Sequence, residues 1–529
     1  MSTPSEHRRV VVIGGGVAGL ATAALLAADG HEVDLLERSS ALGGRAGSWE
    51  RDGFRFDTGP SWYLMPEVFD HLFRLLGTTA EAELDLVHLD PGYRVWFEGH
   101  PDAVDIAADR AGNVALFESL EPGAGAALES YLDSAELTYD LALRHFLYTS
   151  FQSPASLLAP PIARHAPKLA GLLTRSLESY VGARFEDNRL RQVLGYPAVF
   201  LGTAPDKAPS MYHLMSHLDL ADGVYHPRGG FHRVVEVLTS LAERAGACLH
   251  TGVEVTGVRT APGGSGRRQR VHVTGVDAVR DGAPASYDAD LVVGAGDLHH
   301  LETRLLPREL QTFPESWWSK RDPGPGAVLA MLGVEGELPE LAHHSLFFTR
   351  DWQQNFGDVF DARRVPEPAS AYVCKPSATD DDVAPPGHEN LFVLVPVPAE
   401  TSIGRGGEDG AGDPQVEKAA DAAIAQVASW AGVPDLAERI VVRRTVGPGD
   451  FAHDILAWRG GALGPAHVLS QSAMFRAGNA SKRVDGLLYA GSSTLPGIGV
   501  PMCLISAELV LKRVRGDRSA GPVDVPRDL

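Results

Sequence analysis

Residues 10–19 read VVVIGGGVAG, an apolar β-branched run that ends in Gly14-x-Gly16-x-x-Gly19. The next segment, LATAALLAADG, is rich in helix formers and stops at Gly30. HEVDLLER then alternates as a second strand, with Glu37 at its carboxyl end. Strand, glycine turn, helix, strand and carboxylate in that order specify a dinucleotide-binding βαβ unit. Gly14 permits the tight turn, Gly16 lets the backbone approach a pyrophosphate, and Gly19 allows close helix–strand packing. The helix amino terminus adds unpaired N–H groups and a positive dipole end. Glu37, 23 residues beyond Gly14, is placed to accept hydrogen bonds from ribose hydroxyls. Its charge repels a 2′-phosphate, so NADP fits this site poorly.

Other readings of the same stretch fail on its interior. Val10 to Ala28 is uncharged for 19 residues, and Gly486 to Ala507 for 22. A membrane span needs about 20 mostly apolar residues. The first run, however, carries Gly14, Gly15, Gly16 and Gly19, and the second carries Pro496, Gly497, Gly499 and Pro501 at its centre. Both read as strand, glycine turn and buried helix. Arg8-Arg9 ahead of small apolar residues also suits a signal peptide, which would not explain the glycine spacing. With 47 Lys+Arg against 68 Asp+Glu, the net charge of −21 excludes a broad nucleic-acid surface. Cys248, Cys374 and Cys503 are few, odd in number and scattered, which argues against a disulfide framework or a zinc site and suits a reducing cytoplasm.

Downstream of Glu37 stands Gly43-Gly44-Arg45, then DGFRFDTGPSWY. A Gly-Gly turn aims backbone N–H groups at a cofactor, and Arg45 can neutralise phosphate or flavin charge. A Glu followed by GGR is typical of flavoproteins that resemble the amine oxidase and carotenoid desaturase group, which moves the expected cofactor from NAD to FAD. Three later segments repeat the pattern of strand, small-residue loop and helix. Gly229-Gly230 opens the amphipathic FHRVVEVLTSLAERAG, followed by a strand pair in ACLHTGVEVTGV. After a charged, glycine-rich hairpin around 262–270, YDADLVVGAGD ends at Gly294-Ala295-Gly296. LLYAGSSTLPGIGVPMCLISAELV closes the set, with a helix beginning near Val500 whose amino terminus points at the flavin. The chain therefore leaves the nucleotide domain and returns to it twice. The expected fold is α/β, a Rossmann-like FAD-binding domain with a discontinuous substrate domain and a helical membrane-docking subdomain. Residues 1–80, 228–300 and 470–515 form the first, 81–140 and 301–469 the second, 141–227 the third, and 516–529 a tail.

From about residue 9 to about residue 515 the chain resembles the bacterial phytoene desaturases, FAD-dependent enzymes of carotenoid synthesis. The resemblance is carried by GGRAGSWERDGFRFDTGPS, YHPRGGFHRVVEVL and ADLVVGAGD, and more narrowly by PSATDDDVAPPGHENLFVLVPVP and LSQSAMFRAGNASKRVDGLLYAGSSTLPGIGVP. It implies FAD, a lipophilic polyene substrate and a peripheral membrane habit at the inner face of the cell membrane. It also implies cofactor contacts at Gly14, Gly16, Gly19, Glu37, Gly44, Arg45, Val255, Gly491 and Val500, with Val255 giving a backbone contact to the adenine. The terminal motif departs from the family's GTHPGAGIPG, since Leu495 replaces the histidine and Met502 the last glycine. These changes bear on substrate and step number, not on the cofactor.

Residues 141–191 carry seven basic residues (Arg144, Arg164, Lys168, Arg175, Arg184, Arg189, Arg191) against three acidic ones. Local positive charge with Leu, Phe and Tyr on an acidic protein fits docking to anionic lipid. The expected chemistry is stepwise desaturation of a colourless C40 polyene, with oxygen or a quinone as the electron acceptor. No Ser–His–Asp order or HExxH helix offers a rival mechanism, and no acid or base can be named. The pairs His299-His300 and His343-His344 read as surface loops without helical ligand spacing, so no metal is expected. The alternatives are a flavin-dependent isomerase or saturase, an amine oxidase, and a non-catalytic prenyl-binding escort protein. An amine oxidase should show aromatic residues near the terminal flavin loop, where this chain has Leu495, Ile498 and Met502.

Overall fold

The computed structural model describes residues 7–152, 160–263 and 270–525. Five parallel strands form the nucleotide sheet, in the order Leu487–Tyr489, Leu291–Gly294, Arg9–Ile13, Glu32–Leu36 and Cys248–His250. Its strands come from three separate stretches of chain. The fingerprint helix Val17–Ala28 is buried from Val17 to Ala27. A helix apolar on every side must be covered on every side, and this one packs between Gly230–Arg244 and the terminal helix Val500–Arg515. Its alanines let both neighbours approach. That covering, rather than lipid, absorbs the uncharged run after Arg9. Among the described residues no helix is long and apolar enough to cross a membrane.

Helix Gly230–Arg244 buries Val234, Val235, Leu238 and Leu241 on one face. Its amino terminus is held by Asp57, whose carboxylate accepts from Phe231 N at 2.6 Å and His232 N at 2.9 Å. Asp57 ends the hairpin Ser48–Arg51 and Phe54–Asp57, so the segment after Arg45 is fastened to the first returning stretch. Burial, only partly offset by those bonds, pushes the Asp57 carboxyl up to about 6.

A second, seven-stranded sheet runs Ile440–Val446, Pro325–Glu335, His388–Pro398, Ala371–Cys374, His344–Phe348, Tyr93–Phe97 and Val104–Ile106. It is mixed, with a single parallel pairing between His344–Phe348 and Tyr93–Phe97. Strand Pro325–Glu335 is buried through its first ten residues. Ala327, Leu329 and Met331 enter one core cluster; Val328, Ala330, Leu332 and Val334 enter the other, beneath helix Pro414–Ala431. Period-two alternation thus fills both faces of one apolar strand. Helices between residues 110 and 220 cover the sheet's first face. There Tyr93 and Tyr196 donate to the buried Asp219, at 3.0 and 2.6 Å, beneath the ring of Trp62.

Candidate functional site

Two glycine turns far apart in sequence are joined through their backbones. Gly43 N donates to Gly15 O at 2.9 Å, and Gly16 pairs with Gly43 as an isolated bridge. Gly14, at φ +104°, lies against the Ala295–Gly296 turn, where a Cβ would meet Gly296 N at 3.1 Å. Gly16 has an ordinary extended backbone, and a Cβ there would meet nothing closer than Gly43 O at 3.7 Å. Protein packing therefore does not demand glycine at 16. A ligand backbone running through the space a side chain would fill does. No side chain caps helix Val17–Ala28, which leaves its first N–H groups for an anion.

A cavity of about 1540 Å³ opens from these turns. Gly14, Gly16, Glu37, Gly44, Arg45, Val255, Gly491 and Val500 all line it. Gly19 does not. It faces the turn, where a Cβ would collide with Gly14 O at 1.9 Å, so its part is to let the helix seat. Glu37 is tied down on both oxygens: Oε2 accepts from Gly15 N, and Oε1 from Ser39 N and Ser39 Oγ, each at 2.7 Å. Its carboxylate thus orders the first turn as well as facing the cavity. Arg45 Nε donates to Ala462 O at 2.9 Å, and among the described residues Arg45 has no carboxylate ion partner. Burial lowers its pKa, with Asp297 partly opposing. An unpaired cation beside uncapped helix N–H groups and a cradle open at Gly16 fits a pyrophosphate, and with it FAD.

The far side of the cavity is closed by the loop at 491–499 and the first turn of Val500–Arg515. Gly491 N donates to Ser506 Oγ at 2.8 Å, seating the loop on the helix. Arg476, which sequence reasoning passed over, binds this loop from behind. Its guanidinium donates to Thr494 O, Ser492 O and Gln471 O at 3.0, 2.5 and 3.2 Å, and burial takes its pKa down to about 10. His467 Nε2 accepts from Ile498 N at 3.1 Å, and its Nδ1 is 2.9 Å from Tyr212 OH. Burial holds this imidazole well below its usual pKa, so it is neutral. His467 lies in none of the quoted segments, and Arg476 lies inside LSQSAMFRAGNAS without any local sign of its role; only their clustering on one loop exposes them.

Beyond the loop the cavity turns apolar. Ala327, Leu329, Tyr372, Phe392 and Leu394 of the large sheet form its floor, and helix Pro160–Thr174 one wall. Arg444, packed over Trp49, also lines the cavity. The aromatic residues missing from the terminal loop arrive from distant parts of the chain, as Trp62, Tyr212, Tyr372 and Phe392. Aromatic content near the flavin loop therefore cannot be judged from local sequence. At the mouth stand Leu469, Met474 and Phe475, which are 43, 49 and 56% exposed.

Of the seven basic residues at 141–191, five are engaged locally. Arg144 pairs with Asp140, Arg189 with Asp187, and Arg184 stacks on Tyr180, while Arg175 and Arg191 donate to backbone carbonyls. Arg164 is exposed and Lys168 half-buried on Pro160–Thr174. Residues 153–159 of this segment and 264–269 of the glycine-rich hairpin lie outside the described residues.

The expectation of surface histidine loops is wrong for both pairs. His299 and His300 lie in helix Leu298–Arg304, capped by Asp297, and His300 lines the cavity. His343 and His344 are buried, because His344–Phe348 lies inside the large sheet between Ala371–Cys374 and Tyr93–Phe97. His344 pairs in register with Cys374, and His343, His344 and Cys374 bring a nitrogen or sulfur each within 4.8 Å of one another. The thiol is pushed up to about 12 by burial and stays protonated.

The flavin containing amine oxidoreductase family matches residues 17–514. The chain is 41% identical over 500 residues to a carotenoid 3,4-desaturase of Haloarcula japonica, covering 94% of this chain and 96% of that one. It is 33% identical over 515 residues to a zeta-carotene-forming phytoene desaturase of Myxococcus xanthus, covering 97% and 95%. Among solved structures, putrescine oxidase bound to putrescine aligns with a TM-score of 0.58 at 16% identity, over 97% of this chain and all of the other. Cyclohexylamine oxidase of Brevibacterium oxydans gives 0.56 at 14%, over 97% and 99%. These two likenesses establish a shared fold.

Proposed function

Because the chain belongs to the flavin containing amine oxidoreductase family, we propose that it is an FAD-dependent desaturase that introduces double bonds into a carotenoid polyene. The observation that carries this reading is the cavity. Its volume of about 1540 Å³ exceeds the roughly 300–1,000 Å³ of an ordinary ligand pocket, enough for a dinucleotide and a second long ligand. One end is a phosphate cradle; the other is an apolar trough over the sheet. Gly14, Gly16, Gly44 and Arg45 would hold the pyrophosphate, Glu37 the ribose, Val255 the adenine, and Gly491 with Val500 the ring system. Bound flavin supplies hydride acceptance. The protein keeps an allylic segment dry and in line beside it.

We further propose that the exposed rim at Leu469, Met474 and Phe475, together with Arg164 and Lys168 on helix Pro160–Thr174, which lines the same cavity, docks on anionic lipid at the cytoplasmic face of the membrane. Oxygen or a quinone then reoxidises the flavin. The test is anaerobic mixing of the yellow holoprotein with phytoene, or a partly desaturated carotenoid, in liposomes. Flavin bleaching with a red-shifted polyene product supports desaturation. Rearranged polyene without bleaching identifies an isomerase, and protein lacking flavin absorbance identifies an escort protein.

A further inference from the structure

Metal ligands are usually marked in a sequence by short helical or loop spacing, and the histidines of this chain show none of it. A sheet can gather ligands by register instead. His344 opens strand His344–Phe348 and faces Cys374, the last residue of Ala371–Cys374, across an antiparallel pair. His343 precedes it, with its ring 4.6 Å from that of His344, centroid to centroid. One ring nitrogen of each histidine and the Cys374 sulfur lie within 4.8 Å of one another, the one such group of three among the described residues. His343, His344 and Cys374 are 5, 0 and 2% exposed, so water does not satisfy them from outside.

The hydrogen bonds around the two rings favour the tautomer that binds a metal. His343 Nδ1 is 2.7 Å from Thr379 Oγ1, and His344 Nδ1 is 2.7 Å from Tyr372 OH. Both Nε2 atoms are buried and have no hydrogen-bond partner. With each Nδ1–H donated to a hydroxyl, each Nε2 keeps a lone pair that nothing in the protein takes up. The other tautomer would bury an N–H without an acceptor, which folded proteins rarely tolerate. An imidazole fixed through Nδ1 by an oxygen, with Nε2 left free, is the arrangement that metal-ligating histidines adopt. The surrounding charge does not repel a cation. Lys375, near His343, is offset by Glu389 at 3.6 Å, and Asp57 and Asp380 act by charge on the thiol.

We propose that His343, His344 and Cys374 bind one thiophilic transition-metal ion, zinc(II) or copper(I), as a closed structural site behind the floor of the trough. Two imidazoles and a thiolate suit these ions, whereas magnesium and calcium take oxygen ligands. Three atoms within 4.8 Å of one another lie within about 2.8 Å of a common point, and bonds of about 2.0–2.3 Å draw them in by roughly 0.8 Å at most. Binding replaces the Cys374 S–H bond with a metal–sulfur bond and releases the proton to solvent. The ion's work is mechanical. Trp62 stacks on His344 with ring centroids 4.6 Å apart, and Tyr372 bonds its Nδ1. Both aromatic side chains line the cavity, so an ion that fixes His344 also fixes them.

The site stands apart from the desaturase reading, and its test needs no turnover. Holoprotein without a histidine tag is grown with added zinc and, separately, with added copper, and its metal content is measured. The parent should hold about one zinc or copper ion per chain, and X-ray absorption at that metal's edge should show nitrogen neighbours and a sulfur at about 2.3 Å. Cys374→Ser and His343→Gln should each lower the metal content by roughly tenfold or more at unchanged flavin content, because the cradle lies on the other sheet. Thr379→Val, which only frees His343 Nδ1, should hold the ion roughly 10–100-fold more weakly against a competing chelator. A folded parent free of both metals overturns the site, as does bound metal without a sulfur neighbour or full metal content in Cys374→Ser. Should a variant fail to fold, the parent's metal content and sulfur neighbour decide alone.

Discussion

Replacing Asp219 with asparagine removes a carboxyl that burial keeps protonated up to about pH 7. The side chain is buried, accepts from Tyr93 and Tyr196 through Oδ2, and has no partner for Oδ1. Burial outweighs those two bonds and raises its pKa to about 7. An unfolded aspartate titrates near 3.9. The folded state therefore binds the extra proton, and the stability this contributes is complete below about pH 4 and lost as pH rises through 7. The shift of roughly three units amounts to about 4 kcal/mol in all, of which about 2.7 kcal/mol disappears between pH 5 and 8. Asparagine does not titrate, and any fixed cost of its amide is the same at both pH values. Urea unfolding followed by tryptophan emission, at pH 5 and 8, should show the parent losing about 2.7 kcal/mol more than Asp219→Asn. Parallel curves, differing by less than about 0.5 kcal/mol, would refute the assignment of a neutral carboxyl beneath Trp62.

Other changes bear on the cofactor and the membrane. Gly16→Val should fold, given the open space around a Cβ there, yet purify without yellow flavin; normal flavin content would remove Gly16 from the cradle. Glu37→Ala should weaken FAD by about 1–3 kcal/mol through lost charge-assisted hydrogen bonds and a loosened Gly15 turn, and titration of apoprotein with FAD measures it. Arg164→Glu with Lys168→Glu should release the protein from phosphatidylglycerol vesicles in a sedimentation assay without altering flavin content. Equal sedimentation of parent and variant makes these two residues an ordinary solvated face.

What was legible in the sequence is what is local. The first strand, turn and helix carry their own signals within about 30 residues, and the GGR turn lies close behind. Even there, spacing could not separate Gly19, which seats a helix, from Gly16, which faces the cavity, because the difference lies in what a Cβ would meet. The trough was illegible for a physical reason. Trp62, Tyr372 and His344 come from three segments up to 310 residues apart; strand pairing brings Tyr372 and His344 together, and the loop carrying Trp62 packs its ring on both. The adjacent histidines looked like loop residues because no apolar periodicity marks a short central strand, and only burial distinguishes them. Arg476 and His467 likewise act through backbone groups of another loop, a role that local sequence does not mark even though Arg476 lies in a family segment.

One chamber for two ligands also sets the order of traffic. The cradle and the trough share a single volume whose described rim is Leu469, Met474 and Phe475. An oxidant that must reach the ring by this mouth meets a queue whenever a polyene fills the trough. On the desaturase reading, product would depart before reoxidation, and the two half-reactions would not overlap. Steady-state plots at varied polyene and acceptor would run as parallel lines. The same crowding makes a saturating polyene an inhibitor of its own enzyme's reoxidation.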